Sequence, residues 1–342
     1  MILQQILLKI FSKLNNDRTI SAAYHLLRGK RSGQTIQDVG IFKLHEFFCL
    51  LPKLSRKKFD IEVDKMMEEG FLIINDDNGH FSMTAKGLEK GIEDLPCTFY
   101  SWNYRGNEHI FFGRLSLVIQ ALSYQSSNTK QFIPIQRDEQ IQHFARAFLL
   151  QNKYQAGHLQ QELFREITES IEILPISLLQ KELLINRLTG NHMPGLTWQQ
   201  LAFDANMSEM DVQLLYISAL HNWLLEIPNN HTYLGQIAEN IQVDIVLTES
   251  TFQTVKLFKQ GHSISEIAAL RSLKESTIED HIVEYAMNET TFPFENFVSV
   301  VDQNLVFDVI EQNNTKRLKV LHEKVPHLTY FQLRLVLAKG RV

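Results

Sequence analysis

Apolar residues recur at helical spacing through most of the chain, and clusters of Gly, Pro and Asn interrupt them. Side chains that repeat every three or four residues share one face of an α-helix, so the pattern predicts a mainly α-helical protein. Only residues 71–87 have the pattern of a β-hairpin, because two short β-prone runs flank turn-forming residues at 76–79.

A helix, a turn, a second helix and this hairpin follow one another in the N-terminal part of the chain. Residues 41–51 and 55–70 are each amphipathic, and Gly70 is expected to end the second of these helices. This order of elements is typical of a winged helix. We therefore predict a winged-helix domain at residues 1–95, with one further helix added in front.

The middle of the chain, residues 96–240, is predicted to be a helical region. Its helices are expected near residues 106–125, 137–152, 156–173 and 176–188. The Asn-rich stretch at 228–235 has the composition of a linker or turn.

A second helix-turn-helix pattern lies inside this region, at residues 195–224. Thr197 with Gln200, and Ser208 with Asp211, are helix start signals of the capping-box kind. The pattern is similar to the promoter-reading region of sigma factors, which makes it a candidate DNA reader.

The C-terminal part, residues 248–342, is predicted to be a helix-turn-helix domain. Ser250 is expected to open a first helix, and Ser263 with Glu266 forms a capping box before the next one. Two further helices are predicted near residues 315–324 and 330–339.

This C-terminal segment resembles the helicase helix-turn-helix family, a domain found behind the catalytic core of many RecQ-type DNA helicases. The resemblance rests on LFKQGHSISEIAALRSLKESTIEDHI at 257–282 and on PHLTYFQLRLVLA at 326–338. In addition, AAYHLLRGKRSGQTIQD at 22–38 is similar to the start of stand-alone bacterial members, which lack ATPase motifs and are usually encoded beside a RecQ-type helicase. The resemblance implies a DNA-binding or accessory role, with a RecQ-type helicase as partner.

The recognition helix of this motif has an unsuitable charge for reading DNA. Beyond its first turn it carries only acidic charges, and phosphate repels carboxylates. Lys274, Ser276 and Thr277 at the leading turn remain as candidate DNA contacts, although Lys274 stands where Ser or Thr is usual for the helix cap. We therefore expect this helix to serve as scaffold, with its acidic face turned toward a protein or solvent.

Positive charge is concentrated near the N-terminus, although the whole chain has a formal net charge of -5. Residues 28–58 carry eight Lys and Arg against Asp38 and Glu46, a local charge of +6. The candidate DNA contacts here are Lys30, Arg31, Lys53, Arg56, Lys57 and Lys58. Three of them open the predicted recognition helix, whose N-terminal amides also favour phosphate. An ordinary solvated basic face is the alternative.

The other two regions differ sharply in charge. Residues 188–255 contain no Lys or Arg against seven Asp and Glu, so the middle motif is expected to be structural or a protein contact. Residues 315–342 carry seven Lys and Arg against Glu323 alone. The candidate contacts there are Lys316, Arg317, Lys319 and Arg334. They could meet DNA or an acidic patch on a partner, or they could simply be solvated.

The chain contains no recognisable catalytic or metal-binding motif. GxxxxGK[ST], HExxH and GxSxG are missing, and Cys49 and Cys97 form no CxxC pair. We therefore expect no enzyme activity, no cofactor and no metal. The aromatic residues at 99–104, beside Arg105, could stack unpaired bases, but aromatics at this density more often anchor a core.

Taken together, these patterns predict a cytoplasmic, non-catalytic, DNA-binding accessory protein of a RecQ-type helicase in DNA repair or recombination. Lys9 and Lys13 interrupt the apolar N-terminal run, and no run of 18 apolar residues occurs, so neither a signal peptide nor a membrane span is expected. Two alternatives stay open: a sequence-specific transcription regulator, and a protein-interaction scaffold without DNA affinity.

Overall fold

The computed structural model describes residues 1–75, 79–129, 131–227, 232–243 and 247–340. Within these ranges the protein is mainly α-helical and has one two-stranded antiparallel sheet, which confirms the predicted class. The predicted turn residues at 76–78 lie outside the described residues. No helix in the described ranges combines the length and hydropathy that a membrane crossing needs.

The N-terminal part forms helices and a hairpin in the predicted order. The elements are α1 (Ile2–Leu14), α2 (Ile20–Leu27), α3 (Gly33–Ile41), α4 (Arg56–Glu68), β1 (Leu72–Ile74), β2 (Phe81–Met83) and α5 (Ala85–Ile92), with a 3-10 turn at His45–Phe47. In the hairpin, Ile73 pairs with Ser82. The helix predicted at 55–70 and the hairpin are confirmed, whereas the assignment of this part as a winged helix stays a prediction.

The amphipathic helix predicted at residues 41–51 was wrong, because α3 ends where that helix should begin. Lys43 and Cys49 adopt left-handed backbone angles, with φ of 52° and 62°. The amide of Cys49 donates to the carbonyl of Leu26, and that of Leu51 donates to Leu27, both at 2.9 Å. These bonds to the end of α2 replace the hydrogen bonds that a helix would have made.

The middle part consists of helices near their predicted positions. They are α6 (Ser101–Tyr104), α7 (Glu108–Ser126), α8 (Glu139–Gln151), α9 (His158–Glu172), α10 (Leu178–Asn186), α11 (Trp198–Asp204), α12 (Glu209–Glu226) and α13 (Thr232–Ile237), with a 3-10 turn at Tyr154–Ala156. The stretch predicted as a linker at 228–235 lies partly outside the described residues, and α13 occupies its end.

The two start signals of the middle motif behave differently. Thr197 and Gln200 form the expected capping box at the start of α11. Ser208 accepts a hydrogen bond from the amide of Asp211, but the Asp211 carboxylate does not bond back. Instead it accepts from the amide of Ile2 at 2.7 Å and so caps the start of α1.

The C-terminal part contains one helix more than predicted. Its helices are α14 (Glu249–Lys259), α15 (Ile264–Arg271), α16 (Glu275–Asn288), α17 (Val300–Asn313), α18 (Leu318–Lys324) and α19 (Tyr330–Lys339), with a 3-10 turn at Phe294–Asn296. The capping box of Ser263 and Glu266 is confirmed. The first cap was wrong: Thr248, not Ser250, begins α14, since its hydroxyl accepts from the amide of Thr251.

The chain divides into two compact units. The first unit comprises Met1–Ile6 with Asp94–Val243, and the second comprises Leu7–Glu93 with Asp244–Val342. In the first unit, the fully buried Trp223 packs edge-on against Phe111 and donates from its indole nitrogen to the Ser170 hydroxyl at 2.9 Å. The predicted three-domain division of the chain stays a prediction.

Helix α16 is the central helix of the second unit. It packs against α14 and α15, against α19, and against α3 from the N-terminal part. Ile278 and Ile282 on this helix are fully buried. Beside them, the buried Glu284 carboxylate accepts hydrogen bonds from the hydroxyl of Thr251 at 2.7 Å and from that of Thr248 at 3.3 Å.

We expect Glu284→Gln to lower the free energy of unfolding of the second unit by about 1–3 kcal/mol. The glutamine side chain would place an NH2 donor where the carboxylate now accepts hydrogen bonds from hydroxyl and backbone N–H donors. A buried donor left without an acceptor destabilises a protein by about 1–3 kcal/mol. The measurement is urea denaturation with hydrogen exchange of the α14–α16 amides. Glu275→Gln, on the exposed first turn of the same helix, is the matched control and should change stability by about 0.5 kcal/mol or less. Equal losses for the two variants would contradict the prediction.

Candidate nucleic-acid interface

Eight exposed basic side chains lie along the segment from the end of α2 to the first turn of α4, and we call all of them except Lys43 the basic surface. The basic surface thus consists of Arg28, Lys30, Arg31, Lys53, Arg56, Lys57 and Lys58. Ser55 caps α4 by accepting from the amide of Lys58, so Arg56, Lys57 and Lys58 form the first turn of that helix. Their position adds side-chain charge to the partial positive charge of the helix N-terminus.

Two of these cations converge on Tyr24, which lies on α2. The guanidinium carbon of Arg28 is 5.7 Å from the centre of the Tyr24 ring, and that of Arg56 is 5.4 Å from it. Arg28 also donates to the Tyr24 hydroxyl at 3.2 Å and to the Pro52 carbonyl at 3.1 Å. This tyrosine therefore brings the start of α4 next to the end of α2, although the two lie far apart in sequence.

The acidic residues of this segment do not neutralise the basic surface. Asp38 is buried, and its carboxylate is paired with Arg18 at 2.7 Å. Burial raises the pKa of Asp38, while Arg18 acts in the opposite direction. Glu46 lies 3.8 Å from the ammonium of Lys13. Both carboxylates are thus paired with cations that do not belong to the basic surface.

Ion pairing within the basic surface is limited to one residue. Arg56 pairs with Asp60 at 2.7 Å, and no other member forms an ion pair with a described residue. The positive field is visible at His25, whose pKa is lowered below 6.5 by burial and then by Lys30, Arg56 and Arg28. The cations near His25 are therefore close enough together to act on one group.

The acidic groups of α16 are bound by other parts of the same unit. Arg334 of α19 pairs with Glu279 at 3.1 Å and with Asp280. The side-chain amide of Gln37, on α3, donates to Asp280 at 3.1 Å. The face of α16 expected to meet a protein or solvent thus meets α3 and α19, which corrects that expectation.

The leading turn of α16 is the part of this helix that stays accessible. Lys274 and Ser276 are exposed, and Thr277 is half-buried. Lys274 occupies the N-cap position and makes no capping hydrogen bond with its side chain, as the sequence suggested. These three residues remain candidate contacts for DNA, separate in sequence from the basic surface.

The C-terminal candidates fall into two kinds. Lys316 donates to the carbonyl of Ile41 at 2.8 Å, and burial lowers its pKa. Like Arg334, it is therefore occupied by contacts within the protein. Arg317 and Lys319 are exposed. They line a pocket of about 410 Å³ with Arg334, and the carboxylates of Asp17, Asp38 and Asp280 line it as well. The mixed charge of this pocket makes it a weaker phosphate site than the basic surface.

Sequence reasoning did not select Tyr24 or Arg28 as site residues. Arg28 was counted among the local positive charges, and its spacing of four residues from Tyr24 on a helix was the available signal. The aromatic residues at 99–104 are different: Phe99 and Tyr104 are buried, and Arg105 covers Trp102 with its guanidinium carbon 4.1 Å from the ring centre. These contacts favour the core interpretation of that cluster.

Comparison with known proteins agrees with this arrangement of elements. Residues 250–337 match the family described as a helix-turn-helix domain, so the protein carries a helix-turn-helix domain at its C-terminal part, and such a domain suggests DNA as a partner. The chain is also 30% identical over 336 residues to Protein YpbB of Bacillus subtilis (strain 168), covering 96% of this chain and 94% of that protein. The chain therefore belongs to the YpbB family. No solved structure matches it significantly.

A bound polyanion should raise the pKa of His25, because its phosphates would offset the field of Lys30, Arg56 and Arg28. Binding would then take up a proton, so affinity should increase as the pH falls below about 6.5. A pKa rise of about half a unit corresponds to about threefold in affinity at low pH. Proton NMR titration of the histidines with and without DNA measures the shift. His25→Gln should abolish the pH dependence, whereas His262→Gln should keep it; an unchanged His25 pKa in the complex would exclude contact here.

Proposed function

We propose that this protein binds DNA through the basic surface, without catalysing a reaction, and acts as an accessory protein of a RecQ-type DNA helicase. The observation that carries the DNA-binding part is the set of seven exposed cations, of which only Arg56 forms an ion pair with a described residue. Exposed cations without carboxylate partners supply the phosphate neutralisation from which most DNA affinity arises.

Packing favours the basic surface over the recognition helix as the site of contact. A helix that reads bases must place a free face in the major groove. In this chain α16 packs against α3 and α19, and the carboxylates of Glu279 and Asp280 are bound to Arg334 and Gln37. We therefore propose that DNA meets α2 and α4, while α16 packs against α3, which in turn contacts α2.

The proposed accessory role rests on two supports. The motifs at 257–282 and 326–338 resemble the helicase helix-turn-helix family, and the match to a helix-turn-helix domain covers the first motif and all but the last residue of the second. The Lys- and Arg-free stretch at 188–255 supplies a region that suits protein contact rather than DNA. As a proposal, the protein works in the cytoplasm during DNA repair or recombination.

Replacing Lys57 and Lys58 by Glu should weaken DNA binding strongly. If six cations of the basic surface meet phosphate, affinity should fall with salt at a log–log slope of roughly -4 to -5, and the double variant should make that slope shallower by about 2. Fluorescence anisotropy with single-stranded and duplex DNA at several salt concentrations measures both quantities.

The matched control for this experiment is Lys274→Glu with Ser276→Glu, which changes the charge of the leading turn of α16. We expect this control to bind DNA within about twofold of the unchanged protein, because α16 is not the proposed contact. A loss confined to the control would assign DNA contact to the helix-turn-helix instead. Equal, unchanged affinity for both variants would remove the basic surface from consideration.

The helicase partnership requires a separate experiment. We expect the full chain to retain a purified RecQ-type helicase from the same organism in a pull-down, both at low salt and after nuclease treatment. The double variant Lys57→Glu and Lys58→Glu should retain the helicase equally well, because its proposed role is DNA contact. A footprint on one defined operator without helicase binding would support the transcription regulator. Helicase binding without any DNA affinity would support the scaffold.

A further inference from the structure

A pocket whose lining differs in chemistry from the basic surface lies in the first unit. It is a pocket of about 780 Å³ between α7, α8 and the 3-10 turn at Tyr154–Ala156. Leu117 and Ala121 from α7 and Ala145 and Leu149 from α8 supply apolar walls. A pocket of this size is typical of small-molecule sites, which range from about 300 to 1,000 Å³.

Two aromatic rings line the pocket. Phe132 and Tyr154 are both half-buried, so part of each ring is accessible to a ligand. The Phe132 ring packs against the ring of Tyr124, with ring centres 5.0 Å apart. Aromatic faces of this kind stack on planar heterocycles, and each stacked base contributes about 1–3 kcal/mol in single-stranded nucleic-acid complexes.

The polar lining consists mainly of side-chain amides. Gln125 donates from its amide nitrogen to the carbonyl of Tyr154 at 3.1 Å, and Gln142 donates to the carbonyl of Gln136 at 2.7 Å. These bonds fix the orientation of both amides and leave their carbonyl oxygens as acceptors. Asn128 and Gln155 add further donors and acceptors at the exposed side. Such groups match the edge of a nucleobase.

Among the described residues that line the pocket, Arg146 carries a charge and no Asp or Glu is present. The Arg146 side chain is exposed. A neighbouring groove of about 770 Å³ in the same unit shows the contrast, because it is lined by Phe164 and Glu172 without any Lys or Arg. An anionic group is therefore favoured beside Arg146, where it would find a guanidinium and no opposing carboxylate.

We propose that this pocket binds a nucleotide, with the base against Phe132 and Tyr154, its edge on the glutamine amides, and its phosphate on Arg146. The lining of the pocket is complementary to a flat ring, a hydrogen-bonding edge and one anionic group, and a nucleotide contains all three. The nucleotide can be a free nucleoside monophosphate or one residue of a single strand, and the experiment separates these sources. The proposal does not depend on the function of the basic surface.

The test is calorimetric titration of the intact protein with AMP, GMP, CMP and UMP. We expect at least one of them to bind, more tightly than its nucleoside and far more tightly than inorganic phosphate. Arg146→Gln should weaken that binding by about tenfold, as the loss of a charge-assisted hydrogen bond implies. Ala121→Phe, which fills the apolar wall, should abolish it. Arg137→Gln removes an exposed cation that does not line the pocket and should leave affinity within about twofold.

A 5′-phosphorylated tetranucleotide distinguishes the two sources. If the tetranucleotide competes with the mononucleotide and its binding is lost in Arg146→Gln, the pocket binds one residue of a single strand. If the tetranucleotide does not compete, the pocket binds the free nucleotide. Binding should persist in the Lys57→Glu and Lys58→Glu variant. Circular dichroism checks folding, and the exposed position of Arg146 keeps the test valid if Ala121→Phe unfolds. Failure of all four nucleotides and the tetranucleotide to bind, or equal binding by Arg146→Gln and the unchanged protein, would overturn the proposal.

Discussion

The second unit depends on the binding of the α16 carboxylates by groups of the same chain. Asp280 and Glu279 form ion pairs with Arg334, and the Glu284 carboxylate accepts hydrogen bonds from the hydroxyls of Thr248 and Thr251. A carboxylate removed from water without such partners would destabilise the fold severely. The partners lie on α19, on α14 and at the N-cap of α14, so Glu279, Asp280 and Glu284, which make α16 unsuitable for DNA, also bind its neighbouring helices.

This constraint determines where positive charge can act. The second unit contains 25 Lys and Arg and 25 Asp and Glu, so its formal net charge is zero. A polyanion nevertheless responds to local charge, because screening limits interactions to about 10 Å. Carboxylates such as Asp38, Asp280 and Glu284 are drawn into internal pairs, whereas the members of the basic surface stay exposed. The distribution of charge, not its sum, therefore produces the positive surface.

The sequence was sufficient for features that depend on local chemistry and insufficient for those that depend on distant partners. The periodic helices, the hairpin and the capping boxes at Thr197 and Ser263 follow from neighbouring residues. Residues 41–51 have helical periodicity, yet their amides bond to α2, and no local pattern encodes that. The pairing of Arg334 with α16, and the meeting of Arg28 and Arg56 at Tyr24, likewise required the folded chain.

The two proposed binding regions use opposite physical strategies. The basic surface has seven exposed cations, two of them over the Tyr24 ring, so its attraction arises from counterion release and must decline steeply with salt. The described lining of the pocket in the first unit comprises Arg146, two aromatic rings and several amides, so its attraction arises from stacking and hydrogen bonds that salt barely screens. With a single phosphate contact, its salt exponent cannot greatly exceed 1. The pocket could therefore retain a nucleotide at salt concentrations that release duplex DNA from the basic surface.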